Sequence, residues 1–460
     1  MTTETALFDA EHRLIEQTVP VRIAGRVSRL VGLVVECEGL AVPIGSLCRI
    51  ETAFGARRMD AEVVGFSAGR TLLMALGEME GIRRNDPVRC MSTGQTVAVG
   101  DELLGRVVNS FGEPVDGGPP LRCPTRAPLY ASPPRAMDRP RICESLPVGI
   151  RAIDGLSTCG KGQRVGLFSG SGVGKSVLMG MIARGTTADV NVIVLVGERG
   201  RELRDFVEKD LGPEGLRRSV VVVATSDEPA LRRVRAPFLA SAVAEYFRDR
   251  GADVLLLLDS LTRLAYAQRE VGLSAGEPPT TKGYPPSVFA QMPRLLERAG
   301  RSNSGTITGI YTVLVDADDI NEPIADAARS ILDGHIWLSR ALSTRGHYPA
   351  VDPLESVSRL MPDVVPAEHY AAAVQVKASL AAYRSAEDLI NIGAYAPGSS
   401  PEIDRAIKLH APVNAFLRQG MREHADFAAT VSRLAELAAG AESGRVAAPG
   451  AAVSPVGGGR

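Results

Sequence analysis

One stretch narrows what this chain can fold into more than any other: Ser169-Gly-Ser-Gly-Val-Gly-Lys-Ser176. It follows a short apolar run, Arg164 to Phe168, and precedes an apolar helical stretch, the setting that a phosphate-binding loop requires. Glycines let backbone N–H groups curl around phosphate oxygens, and a helix N-terminus behind them adds positive potential. In that geometry Lys175 reaches the β and γ phosphates and Ser176 ligates magnesium. The expected nucleotide contacts are Gly170, Ser171, Gly172, Val173, Gly174, Lys175, Ser176 and Val177. The first glycine of the consensus is replaced by Ser169, with Gly170 beside it.

Such a loop implies a parallel sheet, and the surrounding pattern agrees. Between Gly162 and Leu338, strand-like runs (Val192 to Val196, Ser219 to Ala224, Val254 to Leu258, Thr306 to Val315) alternate with helical stretches. That alternation predicts an α/β fold with ligands at the carboxyl ends of the strands. A neighbouring strand must then supply an acidic residue for the magnesium shell, and Val254-Leu-Leu-Leu-Leu-Asp259 does so, acting through water. The residue after Asp259 is Ser260, so the catalytic carboxylate is sought elsewhere. Glu198, in Gly197-Glu-Arg199 directly after a strand, is the candidate to accept a hydrogen bond from the attacking water.

A chain of 460 residues holds several such units. Residues 21–94 read as short β segments broken by Gly, Asn and Asp, which predicts a small β-barrel with a structural or assembly role. A single-stranded nucleic-acid platform would need stacking aromatics and a basic groove. Between Val21 and Gly94 only Phe54 and Phe66 are aromatic, and 10 Lys/Arg stand against 8 Asp/Glu. The whole chain carries a formal charge of -1, so no field attracts polyanions. Pro114 to Pro147 predicts an extended connection held by contacts. The central P-loop ATPase domain, with a mostly parallel sheet, is set at 95–366, and a helical C-terminal domain at 367–439, with Ser400 and Pro401 opening a helix. Residues 440–460 offer little to bury and are expected to be a disordered tail. In residues 1–20, Leu7, Phe8, Leu14, Ile15 and Val19 stand among charges, a pattern open to an amphipathic helix for a partner or to a frayed terminal helix. The six cysteines lack metal-site spacing, no apolar run approaches the roughly 20 residues of a membrane span, and no signal peptide is seen, so a cytosolic location is expected.

The motifs together resemble the hexameric rotary-type ATPases, specifically the protein-export ATPases of bacterial flagella and type III secretion. The resemblance rests on Leu146-Pro-Val-Gly-Ile-Arg-Ala-Ile-Asp-Gly155, the phosphate loop, Gly197-Glu-Arg-Gly-Arg-Glu202 and Asp259-Ser-Leu-Thr-Arg263. Further along it rests on Gly276-Glu-Pro-Pro-Thr-Thr-Lys-Gly-Tyr-Pro-Pro-Ser-Val-Phe289 and Gly346-His-Tyr-Pro-Ala-Val-Asp-Pro-Leu-Glu-Ser-Val-Ser-Arg359. It spans residues 20 to 437. It implies a β-barrel that holds a ring together, a RecA-like ATPase domain and a helical domain facing the export gate. It implies that Tyr348 stacks on adenine and that Arg359 is an arginine finger reaching the neighbouring subunit's γ-phosphate. Arginine suits that role because its fixed fork neutralises charge spread over phosphoryl oxygens.

The same resemblance implies a homo-hexamer, a stator-like regulatory protein at the N-terminus, stalk and export-gate components, and export chaperones with their cargo. Membrane association would be peripheral, at the cytoplasmic face of the inner membrane and through partners, with no specific nucleic acid. The stretches 386–395 and 398–407 look more like flagellar than virulence-system members. A virulence-type secretion ATPase is the alternative; a noncatalytic rotary subunit, which lacks the Glu at position 198, and a hexameric RNA translocase stand further off.

Overall fold

The computed structural model describes residues 23–52, 58–315 and 322–442. The expected partner-binding segment at 1–20 and the expected tail lie outside them, apart from the end of the last helix. Six strands come first: β1 (Ala24–Val31), β2 (Val34–Glu38), β3 (Leu47–Glu51), β4 (Arg58–Ser67), β5 (Arg70–Ala75) and β6 (Pro87–Ser92). They close into an antiparallel barrel in the order β1-β2-β5-β4-β3-β6. Alternate residues such as Cys48 and Ile50 point inward to a core of Val27, Val35, Leu73 and Val88. Closure leaves no unpaired edge. The barrel is the predicted one, although β3 and β6 carry charged residues on their outer faces and are faint as sequence patterns.

The central sheet is built from β8 (Arg106–Val108), β10 (Arg164–Ser169), β11 (Val190–Val196), β12 (Ser219–Ala224), β13 (Asp253–Asp259), β15 (Thr306–Leu314), β16 (Gly334–Leu338) and β17 (Val351–Ser358). Its order is β17-β16-β10-β15-β13-β11-β12-β8, with the short β14 (Gly300–Arg301) paired to β15. All neighbours along that path run parallel except β16 and β17. β11 and β12 are buried along their whole length, as strands covered by helices on both faces must be. The sheet reaches further than the apolar alternation suggests: β8 precedes the proline-rich connection and β17 follows Leu338. That connection is held by contacts, as expected, and part of it, β9 (Thr125–Pro128), pairs with β7 (Thr96–Val99).

Six helices matter for the site and its supports. These are α1 (Lys175–Gly185), α2 (Ala230–Asp249), α3 (Leu261–Ser274), α4 (Ala367–Asn391), α5 (Pro401–Leu417) and α6 (Phe427–Glu442). The last three form the helical C-terminal part. α5 starts as expected, with the Ser400 hydroxyl accepting from the Ile403 N–H and Pro401 in the first turn. No helix among the described residues is long and apolar enough to cross a membrane.

Buried charges join the parts. The fully buried Arg298 forms a two-pronged pair with Glu245 of α2, both contacts at 2.7 Å, and donates to the Leu129 carbonyl at 2.6 Å. Asp154, also fully buried, accepts from the N–H groups of Val148, Gly149 and Ile150 at 2.9, 2.8 and 3.2 Å. Those bonds fix the turn that leads into the helix Arg151–Leu156 and the face on which α6 packs.

Candidate nucleotide-binding site

β10 delivers the chain to Ser169 and α1 begins at Lys175, so the glycine-rich loop sits at the carboxyl edge of the sheet. Gly174, the residue before the helix, has φ +91°, a conformation other residues adopt only with strain. The Ser169 hydroxyl, where the consensus has glycine, is buried and finds no partner among the described residues. Its carbonyl accepts from the Val315 N–H at 3.0 Å, which ties the loop's root to β15.

Three charged groups converge behind the loop. Lys175 Nζ forms an ion pair with Asp259 at the end of β13 and lies 3.7 Å from Glu198, which follows β11. All three side chains are largely buried, Asp259 most of all. Asp259 also accepts from the Thr312 hydroxyl at 2.6 Å. Glu198 stands beside Arg263 of α3, at 3.1 Å, and the same guanidinium donates to the Gly197 carbonyl. Burial, reinforced by the charge of Asp259, pushes the Glu198 carboxyl up to about 7 against the pull of Lys175 and Arg263. Glu198 is therefore no ordinary surface glutamate in a polar turn.

Tyr348 is exposed, and its ring would lie 3.7 Å from a methyl placed on Gly174. Its hydroxyl meets Ser343 Oγ at 3.0 Å. Arg359 stands elsewhere. Its N–H donates to the Asp333 carbonyl at 3.0 Å, and the Asp333 N–H donates to the carbonyl of Arg164, the first residue of β10. The loop leaves the last residue of that strand, five residues and roughly 17 Å further on at 3.3 Å per residue. The exposed Arg359 thus occupies the opposite edge of the sheet from the loop of its own chain.

Residues 149–358 match the nucleotide-binding domain of the ATP synthase alpha/beta family, residues 27–92 its beta-barrel domain, and residues 365–436 the C-terminal domain of the T3SS EscN ATPase. The chain belongs to the ATP synthase alpha/beta family. It is 53% identical to the flagellum-specific ATP synthase of Bacillus subtilis, over 92% of this chain and 97% of that one. To the type 3 secretion system ATPase of Xanthomonas euvesicatoria it is 48% identical, over 89% and 95%. The assembled ATPase EscN in complex with its central stalk EscO, from enteropathogenic E. coli, superposes with a TM-score of 0.84 at 42% identity. That match covers 90% of this chain and all of that one. This member of the family is an ATPase of the flagellar and type III secretion kind.

In this ATPase three supports of the site escape sequence reasoning. Thr312 is one of many threonines until the parallel register is known: Leu258 pairs with Tyr311, so position 312 falls beside Asp259. Arg263 has a weak signal, since it lies one helical turn after Asp259 and its N–H is capped by Ser260 at 3.3 Å. Arg340 donates to the Ser171 carbonyl at 3.2 Å from the turn before Tyr348, a contact that no spacing announces.

Proposed function

We propose that this chain hydrolyses Mg-ATP in a ring of identical subunits, a homo-hexamer, and thereby energises or assists export of flagellar proteins through the type III export apparatus. The observation that carries the proposal is the convergence of Lys175, Glu198 and Asp259 behind a glycine-rich loop while Arg359 stands on the far edge. One chain then contributes the phosphate-binding half of one site and the arginine of the next.

In this scheme the N–H groups of Gly170, Ser171, Gly172, Val173, Gly174 and Val177 surround the phosphates, and Lys175 leaves its carboxylate partners to neutralise the β and γ oxygens. Glu198 holds the attacking water through its carboxylate, and Arg263 keeps it aimed. Tyr348 packs against the adenine, and the Arg359 of an adjacent copy stabilises charge on the transferred phosphoryl group. Ser176 and Asp259 offer the hard oxygen donors that magnesium takes, and no cluster of three His, Cys, Asp or Glu exists among the described residues to form an all-protein cage. The residues fit an ion held jointly with phosphates: Ser176 directly, Asp259 through water. Magnesium, when bound with the nucleotide, supplies charge neutralisation at the phosphoryl oxygens.

The flagellar assignment is supported by the stretches 386–395 and 398–407 and by the greater identity to the Bacillus subtilis protein than to the Xanthomonas euvesicatoria one. A central stalk partner is supported by the likeness to EscN bound to EscO. A stator-like protein at residues 1–20, export-gate contacts, chaperones with cargo, and a peripheral place at the cytoplasmic membrane face belong to the same proposal. The experiment is magnesium-dependent phosphate release by wild type and Glu198→Gln over a range of protein concentrations, without RNA. Specific activity that rises with concentration and is abolished by the substitution is expected. Hydrolysis that needs RNA, or that survives Glu198→Gln, overturns the proposal.

A further inference from the structure

The segment joining Tyr348 to Arg359 is β17, and this strand is not regular. Its pairing with β16 passes from Trp337↔Asp352 to His335↔Val357, so residues 353–356 stand against Ile336 alone. Bulges of this kind re-aim the side chains that follow them. From within, the bulge is held by Asp352 Oδ1, which accepts from the Leu354 N–H at 3.0 Å, and by Ser356 Oγ, which donates to the Asp352 carbonyl at 2.6 Å.

It is also gripped from outside by α4. Arg384 donates to both carboxylate oxygens of Asp352 at 2.7–2.8 Å. Lys377 donates to the Ser356 carbonyl at 3.0 Å and to Ser157 Oγ at 3.3 Å. At the other end of the segment, the Gln419 N–H just beyond α5 donates to the Tyr348 carbonyl at 2.9 Å. The helical C-terminal part thus holds this segment at three points between the adenine-side tyrosine and the far-edge arginine. Past the bulge the strand lies hard against Gly334, where a Cβ would meet the Val357 carbonyl at 2.3 Å. The bulge therefore sets the register in which Ser358, which also donates to the Thr158 carbonyl at 2.8 Å, and Arg359 leave the sheet.

Stability alone does not account for Lys377. A half-buried ammonium whose hydrogen-bond partners are uncharged oxygens gives up much of its hydration for two bonds, a weak reason for stability to retain it. Burial pushes its pKa down to about 8, with Asp352 opposing.

We propose that Lys377 is a positioning residue: together with Arg384 it fixes the β17 bulge, and the bulge sets where Arg359 stands toward the next subunit. The placement of the C-terminal helices thereby governs hydrolysis at the neighbouring site. The proposal rests on the role given to Arg359 above, and the test separates the two. The full chain and its Lys377→Met, Lys377→Arg, Arg384→Ala, Arg359→Ala and Lys377→Met/Arg359→Ala variants are compared for kcat, KM for Mg-ATP, affinity for a fluorescent ATP analogue and ring formation by light scattering. Lys377→Met is expected to lower kcat about tenfold with KM, affinity and ring formation within about twofold of wild type, while Lys377→Arg keeps most of the activity. The double variant is expected to match Arg359→Ala within about twofold, because one residue acts through the other.

Wild-type kcat in Lys377→Met, a loss confined to KM or affinity, or losses that multiply in the double variant overturn the proposal. If Lys377→Met fails to assemble, the half-exposed Arg384→Ala carries the same test, with kcat about threefold lower expected and an unchanged kcat contradicting it. Wild-type hydrolysis by Arg359→Ala refutes the arginine's role itself, and Lys377 falls with it for that separate reason.

Discussion

Arg359 and Lys175 of one chain lie at opposite edges of the central sheet, the arginine beside the start of β10 and the lysine beyond its end. A side chain cannot span that length. If both act on one γ-phosphate, they come from two chains, and assembly becomes part of the mechanism.

Glu198 should give hydrolysis a pH signature. Its carboxyl titrates at about 7 because it is buried beside Asp259. Only the ionised form can act as a base toward the attacking water, so the rate is full above that pH and falls as protons bind below it. At subsaturating Mg-ATP, where kcat/KM reports the free enzyme, we expect kcat/KM to drop about tenfold per pH unit below the inflection. Glu198→Gln should lower kcat at pH 8 by about a hundredfold or more, and its residual rate should lack the inflection. Phosphate release followed between pH 5.5 and 8.5 checks both.

Asp154 supports a stability prediction. Its replacement by Ala strips three buried backbone donors of their acceptor at once. At about 1–3 kcal/mol for each unsatisfied group, the loss should reach at least ~3 kcal/mol. Urea unfolding should show an earlier midpoint for Asp154→Ala, whereas an unchanged midpoint would mean that water replaces the carboxylate.

Arg298 and Glu245 form a buried pair and should behave as one unit. Removing either partner leaves a lone buried charge, at a cost of about 3–5 kcal/mol. The double replacement Arg298→Met/Glu245→Met should recover most of that loss, because no charge remains to be desolvated. Thermal unfolding of the two single variants and the double variant reads the cycle.

Much of this architecture was legible in the sequence, and the limits have physical reasons. The strand, glycine loop and helix around Lys175 form one local unit, so spacing alone places them. Asp259 and Glu198 were legible as carboxylates at the ends of apolar strands, the edge where parallel sheets bind ligands. Thr312 was not, because its place beside Asp259 depends on the register of two strands far apart in sequence. Arg263 touches Glu198 only because two separate strand ends become neighbours. β3 and β6 escaped because a barrel strand with one wet face carries a thin pattern, and β8 because three residues show no period. The grip of Lys377 on Ser356 lies between two folded parts, where no local pattern leaves a trace.

The most direct test mixes two inactive proteins. Lys175→Ala lacks the loop lysine but keeps its arginine, and Arg359→Ala has the reverse defect. Each alone should hydrolyse Mg-ATP at about a hundredth of the wild-type rate or less. In rings assembled from both, the loop of an Arg359→Ala subunit beside the arginine of a Lys175→Ala subunit makes an intact site, so hydrolysis should return on mixing. Rings shown to contain both chains yet as inactive as either parent would contradict a site shared between copies.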